Sequence, residues 1–115
     1  MERQDLITPE QIEAELGGEP TPLWMTGQNI YNLRGFPPAE VVANRRIVLH
    51  MIREAYDCGI LIYDYHQHEW SLNSNFGDIM AWISRRHEIM QVIYELSNVA
   101  APAAEYAAKK RNTSQ

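Results

Sequence analysis

The chain has 115 residues, of which 45% are hydrophobic and 22% charged, and its net charge is −5. This length suits one domain spanning residues 1–115, and the apolar content is typical of a folded chain rather than a disordered one. A negative net charge argues against non-specific binding to DNA or to an anionic membrane surface. Cys58 is the single cysteine, so no disulfide forms within the chain. With no export signal and no apolar run long enough to span a membrane, we expect a cytoplasmic protein.

The negative charge is concentrated in the N-terminal segment. Residues 1–19 contain six acidic side chains and one basic side chain, which account for the whole net charge. Within this segment, Thr8, Pro9 and Gln11 predict the start of a short acidic helix. Threonine caps such a helix, proline suits its first turn, and glutamine reaches back to the cap. Gly17 predicts its end.

Ile12 and Leu16 lie one turn apart on this helix and are its apolar anchors. A helix this short is stable only when its apolar side covers a surface, either on the chain's own core or on a partner. We predict partner binding by Ile12, Leu16 and Glu13. In that prediction the apolar pair supplies the affinity, and the glutamates contribute orientation and association rate.

The stretch 17–37 is rich in glycine and proline but also in large apolar side chains. It therefore predicts an ordered loop that lies across a core or in an interface, rather than a solvated tether. Trp24 is its candidate partner-binding residue, because tryptophan is enriched at protein interfaces.

A long helix is predicted over about residues 37–57, because two prolines open it and Gly59 ends it. Arg46, His50 and Arg53 recur at helical spacing on the side opposite its apolar face. Such a stripe could contact phosphates, so a nucleic-acid-associated protein is one alternative function. The acidic overall charge makes that alternative the weaker one.

The segment 60–70 is rich in β-branched and aromatic residues, which favours a short strand or hairpin over a helix that continues beyond Gly59. On a strand, Asp64, His66 and His68 would share one face, where they could hold a divalent ion such as Zn²⁺ or Fe²⁺. A metal-binding enzyme or sensor is therefore a second alternative. Because this spacing is a common one and no closed ligand set accompanies it, we predict no metal and no cofactor.

A second long helix is predicted from the asparagines at 73–75 to about residue 98. Its apolar arc covers well over half of its circumference, which is typical of a central helix or of one shared with another subunit. The face formed by Trp82, Ile89, Ile93 and Leu96 therefore predicts a homodimer.

Arg45 and Arg86 fall inside the apolar arcs of the two long helices. A guanidinium in such a place either pairs with a carboxylate of its own chain or reaches across an interface, so both arginines are candidate partner-binding residues. The carboxylates expected to pair with them are Asp64, Glu69 and Asp78.

A C-terminal alanine-rich helix with a frayed tail is predicted over 103–115. The complete pattern predicts a mainly α fold, a small single-domain helical bundle with a short extended segment or hairpin around residues 60–70.

No nucleophile motif, phosphate-binding glycine loop or closed metal signature is present in the sequence. We therefore predict a non-enzymatic protein-interaction module, such as a small binder or inhibitor of a larger intracellular complex. In its compact, motif-free character the chain is similar to the class of accessory proteins carried by bacteriophages and other mobile elements, anti-defence factors included. No motif carries that likeness.

Overall fold

The structure is a computed structural model that describes residues 6–34, 44–77 and 79–98. These residues form five α-helices, one 3₁₀ helix and a two-stranded antiparallel sheet. In chain order the elements are α1 (Pro9–Leu16), the 3₁₀ helix (Leu23–Met25), α2 (Gln28–Tyr31), α3 (Arg45–Cys58), β1 (Leu61–Asp64), β2 (Glu69–Leu72), α4 (Met80–Ser84) and α5 (Arg86–Asn98). The predicted mainly α fold with a hairpin is confirmed, while the bundle arrangement of the helices stays a prediction.

Helix α1 begins and ends at the predicted residues. The Thr8 hydroxyl accepts a hydrogen bond from the Gln11 N–H at 3.1 Å, and the Gln11 side chain accepts one from the Thr8 N–H at 2.8 Å. Gly17 then takes the left-handed conformation at φ 64° and donates its N–H to the Glu13 carbonyl. Both ends of this very short helix are therefore defined by caps within the chain.

Helix α3 is capped by Asn44, whose side chain accepts from the Ile47 N–H. It ends at Cys58. The next residue, Gly59, adopts a left-handed conformation with φ 89° and caps the helix, as the sequence predicts. The predicted opening at the two prolines lies outside the described residues.

The segment after α3 is a hairpin, so the alternative of a continued helix is wrong. Leu61 pairs with Leu72, and Tyr63 pairs with Trp70. These four side chains are buried, whereas Ile62 on the opposite face is exposed. This alternation places one face of the hairpin on the core.

The prediction of one helix over 73–98 is wrong. The Asn73 amide donates to the Gly59 carbonyl and its oxygen accepts from the Asn75 N–H, so Asn73 closes a turn at the base of the hairpin instead of capping a helix. Helix α4 begins only at Met80, and the helical conformation is interrupted at Arg85, before α5 begins. The predicted C-terminal helix lies outside the described residues.

The core draws on all the longer elements. Its most deeply buried side chains are Ile12, Leu16, Ile30, Leu49, Ile52, Ile60, Leu61, Ile79, Trp82, Ile89 and Ile93. Within the described part of the chain, no helix is both long enough and apolar enough to cross a bilayer.

Candidate functional site

The face predicted to form a homodimer belongs to the core of the single chain. Trp82, Ile89, Ile93 and Leu96 are between 0% and 3% exposed. Trp82 also donates its indole N–H to the Ile30 carbonyl at 2.7 Å, which anchors α4 on α2. The premise of the dimer prediction, an exposed apolar arc, is therefore wrong. The wide arc is covered by other elements of the same chain.

Helix α1 is docked on the chain's own α3. Ile12 and Leu16 are each 1% exposed. Just before the helix, the Ile7 N–H donates to Ser97 Oγ at 2.6 Å, and the Ile7 carbonyl accepts from the Trp70 indole at 2.7 Å. The two apolar anchors are core residues here, and only Glu13 of the three predicted binding residues is open to solvent, with a side chain that is 55% exposed.

Arg45 joins α3 to α1 and α5. Its guanidinium forms a bidentate pair with the Glu15 carboxylate, with N···O distances of 2.5 and 3.0 Å, and donates to the Leu96 carbonyl at 3.1 Å. Arg45 therefore pairs with a carboxylate of its own chain, which is one of the two predicted possibilities. That carboxylate is Glu15 and not one of those expected from the sequence. The partner comes from a helix 30 positions earlier in the chain.

Arg86 is exposed, so its predicted place inside an apolar arc is wrong. The break at Arg85 explains this difference. It separates α4 from α5 and shifts the phase of the second helix relative to a single continuous one.

The polar stripe of α3 is covered by the segment 17–21. The Glu19 carboxylate accepts from Arg46 Nε at 2.6 Å and from His50 Nε2 at 2.8 Å. Arg53 Nη2 donates to the Glu19 carbonyl at 2.6 Å and to the Thr21 hydroxyl at 2.9 Å. These contacts lower the pKa of Glu19, with the His50 bond contributing most and Arg46 next.

The same contacts orient the His50 ring. Its Nε2 donates to the Glu19 carboxylate, which can only accept, and its Nδ1 lies 3.2 Å from Arg53 Nη2. His50 is 4% exposed and Arg53 is 9% exposed. All three stripe residues proposed to contact phosphates are therefore already paired within the chain, and of the three only Arg46 keeps about half of its side chain in solvent.

The prediction that Asp64, His66 and His68 share one face of a strand, on which the metal-binding alternative depends, is wrong. Only Asp64 lies on β1, and His66 and His68 belong to the turn that follows. Asp64 Oδ1 accepts the backbone N–H groups of His66 and Gln67, and His68 takes a positive φ of 55° with Nδ1 near the Tyr63 hydroxyl. Within the described ranges, no group of three or more histidine, cysteine or acidic side chains is arranged to hold a metal ion.

Cys58 lies at the C-terminal end of α3, where its thiol faces the Glu54 carboxylate at 3.6 Å. Burial and the nearby Glu54 charge raise the pKa of the Cys58 thiol. A reactive cysteine requires the opposite shift, so this geometry favours a packing role.

The 3₁₀ helix presents two large apolar side chains to solvent. Leu23 is 87% exposed and Trp24 is 47% exposed, whereas the adjacent Met25 is 3% exposed and anchors the turn in the core. The Leu23 carbonyl accepts both the N–H and the hydroxyl of Thr26, which fixes the turn's C-terminal end. Trp24 is thus an exposed candidate, as the sequence indicates, and Leu23 is a neighbour that sequence reasoning missed. The sequence shows three adjacent apolar residues, 23–25, between Pro22 and Gly27, and nothing in it distinguishes the exposed Leu23 from the buried Met25.

Helix α4 also exposes apolar side chains that sequence reasoning missed. Met80 is 72% exposed and Ile83, one turn later, is 47% exposed, while Trp82 between them is buried. The predicted continuous helix gave no sign of this exposure, because it placed Ile83 on its apolar arc.

A cleft lies between α1 and α3, and we call it the α1–α3 cleft. Its mouth is lined by Pro9, Glu10, Glu13, Tyr56 and Asp57, and its deeper part reaches Ile12, Arg53 and Trp70. The Tyr65 hydroxyl donates to the Glu10 carboxylate at 2.6 Å, which lowers the pKa of Glu10 and holds that carboxylate in place.

Asp57 has an unfavourable electrostatic environment in this cleft. Asp57 is exposed, but partial desolvation of its carboxyl raises the pKa, and the charges of Glu13 and Glu54 raise it further, against a smaller opposing effect of Arg53. The Asp57 carboxylate makes no hydrogen bond or salt bridge to any residue within 6–34, 44–77 or 79–98.

No known protein family, curated protein or solved structure matches this chain.

Proposed function

We propose that this protein is a non-enzymatic protein-interaction module, a small binder or inhibitor of a larger complex, that contacts its partner through Leu23 and Trp24. The observation that carries the proposal is the pair of adjacent large apolar side chains held in solvent on the 3₁₀ helix. Exposed apolar side chains that are grouped, rather than scattered singly, are typical of interaction surfaces.

The 3₁₀ helix is preorganised for binding. Met25 is buried beneath it and Thr26 holds its end, so little backbone entropy remains to be lost when a partner docks. Tryptophan is among the residues most enriched at the energetic centres of protein interfaces. Leu23 beside it adds apolar area that currently faces water.

Met80 and Ile83 offer a second exposed apolar pair, on α4. Helix α4 is tied to α2 through the Trp82–Ile30 hydrogen bond, and α2 follows the 3₁₀ helix by two residues. The proposal assigns this pair a contributing role in partner contact. The homodimer expected from the sequence stays a prediction without the face on which it was based.

Two variants and one matched control test the proposal. Leu23→Ser and Trp24→Ser are compared with Tyr94→Ser, which removes a side chain of α5 that is 48% exposed, close to the 47% of Trp24. Tagged wild-type protein is used to capture its partner from the cells that produce it, and the captured protein is identified by mass spectrometry and purified. Binding to each variant is then measured by calorimetry.

We expect each 3₁₀-helix variant to weaken binding about tenfold or more, and Tyr94→Ser to leave it within about twofold. Equal affinities for all three variants would assign the partner to another surface. If the wild-type protein captures nothing at a stoichiometric level, the interaction function itself is wrong.

A further inference from the structure

The α1–α3 cleft combines a concave shape, an aromatic wall and a surplus of negative charge. Glu10, Glu13 and Asp57 line it, and Arg53 is the basic side chain among its lining residues. Arg53 is largely committed to Glu19 and Thr21, and its contact with Glu13 is a longer one of 3.6 Å.

The apolar walls of the cleft are suited to a side chain with an aliphatic stem. Pro9 and the half-buried Tyr56 flank the mouth, and the Trp70 ring closes the base. The Tyr56 and Trp70 rings meet edge to face, with centroids 5.7 Å apart and planes at 74°. This packing holds Tyr56 in one orientation, and a tyrosine face beside carboxylates attracts a cation.

One carboxylate of the cleft is held in place, because Glu10 accepts from the Tyr65 hydroxyl. The exposed Asp57 carboxylate, on the last turn of α3, makes no side-chain hydrogen bond to another described residue. The mutual repulsion of Asp57, Glu13 and Glu54 would be relieved by a cation between them.

We propose that the α1–α3 cleft binds a basic side chain, arginine or lysine, of a protein partner. The aliphatic stem lies against Pro9 and Tyr56, and the cationic group lies between Glu13 and Asp57. Long basic side chains bury their stems on apolar surface while their charged ends find carboxylates, which is the arrangement that this cleft offers. This inference does not depend on the Leu23–Trp24 surface and goes beyond the interaction function proposed above.

The test uses blocked tripeptides as probes on the full chain, with arginine, lysine or glutamine between two glycines. Backbone amide signals are followed by NMR as each peptide is added at low ionic strength. We expect saturable shifts at Glu13, Tyr56 and Asp57 with the arginine and lysine peptides, with a dissociation constant on the order of 1 mM, and none with glutamine. High salt should weaken the binding.

Three variants locate the site. Asp57→Asn should weaken binding of the arginine peptide by about threefold or more, and it should fold well because it removes an unfavourable charge. Tyr56→Leu should weaken binding by about threefold, because the face of the tyrosine ring is lost. If Tyr56→Leu does not fold, the result for Asp57→Asn decides the matter. Glu95→Gln, a carboxylate change on α5 away from the cleft, is the matched control and should leave binding unchanged.

Two results would overturn the inference. One is an equal response to the arginine and glutamine peptides. The other is equal weakening by Asp57→Asn and Glu95→Gln, which would reduce the effect to the general negative charge of the chain.

Discussion

The α1–α3 contact and the 3₁₀ helix both carry residues that are enriched at protein interfaces, yet they differ in what remains free to bind. Between α1 and α3, arginines and glutamates from distant positions satisfy one another, and the apolar anchors of α1 are buried. On the 3₁₀ helix, Leu23 and Trp24 stay in solvent although the backbone around them is fixed.

This difference shows that residue type alone does not identify a binding surface. The sequence predicts a partner surface in the acidic N-terminal segment and another in the polar stripe of α3. In the structure these two surfaces pair with each other. Complementary charge at two places in one chain predicts an internal contact as readily as an external one.

The largest expected effect in this comparison is the loss of apolar burial under α1. Ile12→Ala should lower the free energy of unfolding by about 2–5 kcal/mol, because Ile12 is 1% exposed and its neighbours cannot all close the resulting cavity. Urea denaturation followed by circular dichroism measures this change. Glu13→Gln is the control on the same helix and should cost less than about 1 kcal/mol. Similar costs for the two would mean that α1 is not part of the core.

The second-largest change in the free energy of unfolding is expected at the buried ion pair of Arg45 and Glu15. Glu15→Gln should cost about 2–3 kcal/mol, because the Arg45 guanidinium would be left with a neutral partner in a site where its side chain is 16% exposed. A double variant, Glu15→Leu with Arg45→Met, should recover part of that loss, since it removes both charges together. A double-mutant cycle on unfolding free energies gives the coupling, and a coupling near zero would contradict the bidentate contact.

A smaller effect, of opposite sign, is expected at Asp57. Its folded-state pKa is raised, so stability is lost as the pH rises from the unfolded-state pKa through the folded-state pKa, and the ionised carboxylate opposes folding fully above both. Asp57→Asn should therefore increase stability by less than about 1 kcal/mol at about pH 7. The gain should vanish at about pH 3, where the carboxyl is protonated in both folded and unfolded chains. Urea titrations at the two pH values check this, and a gain that persists in acid would require another cause.

The smallest effect on stability is expected at the 3₁₀ helix. Leu23→Ser should change the free energy of unfolding by less than about 0.5 kcal/mol, because a side chain that is 87% exposed contributes little to the core. The same urea assay measures it. A loss comparable to that of Ile12→Ala would show that Leu23 is covered in solution, and the contrast between the two regions would fail.

Local signals in the sequence were sufficient to predict the ends of several elements. The capping residues Thr8 and Gln11 and the glycines after α1 and α3 act within a few positions of themselves, so their meaning does not depend on the rest of the fold. The alternation of Leu61 and Tyr63 likewise predicted the hairpin.

The misplaced features depend on contacts between distant residues. Asn73 looks like a helix cap, but its side-chain oxygen accepts from the Asn75 N–H and its amide donates to the Gly59 carbonyl, so that it holds a turn instead. The pairing of Arg45 with Glu15 requires knowledge that α1 lies on α3. The exposure of Leu23 depends on which neighbour is buried, and the apolar character of the stretch does not reveal that choice.

The hydrogen bond between Ile7 and Ser97 has a consequence for the order of folding. It joins residues 90 positions apart, and Trp70, from the hairpin, donates to the carbonyl of the same residue, Ile7. On the ribosome, the acidic segment is made before the other described elements, but the residue that fastens it is among the last described ones to be made. An eight-residue helix has little stability by itself, so α1 should remain unstructured until α3, the hairpin and α5 have all formed. Helix α1, which is synthesised before the other described elements, is therefore expected to be the last of them to fold, and contacts of such long sequence separation make that final step slow.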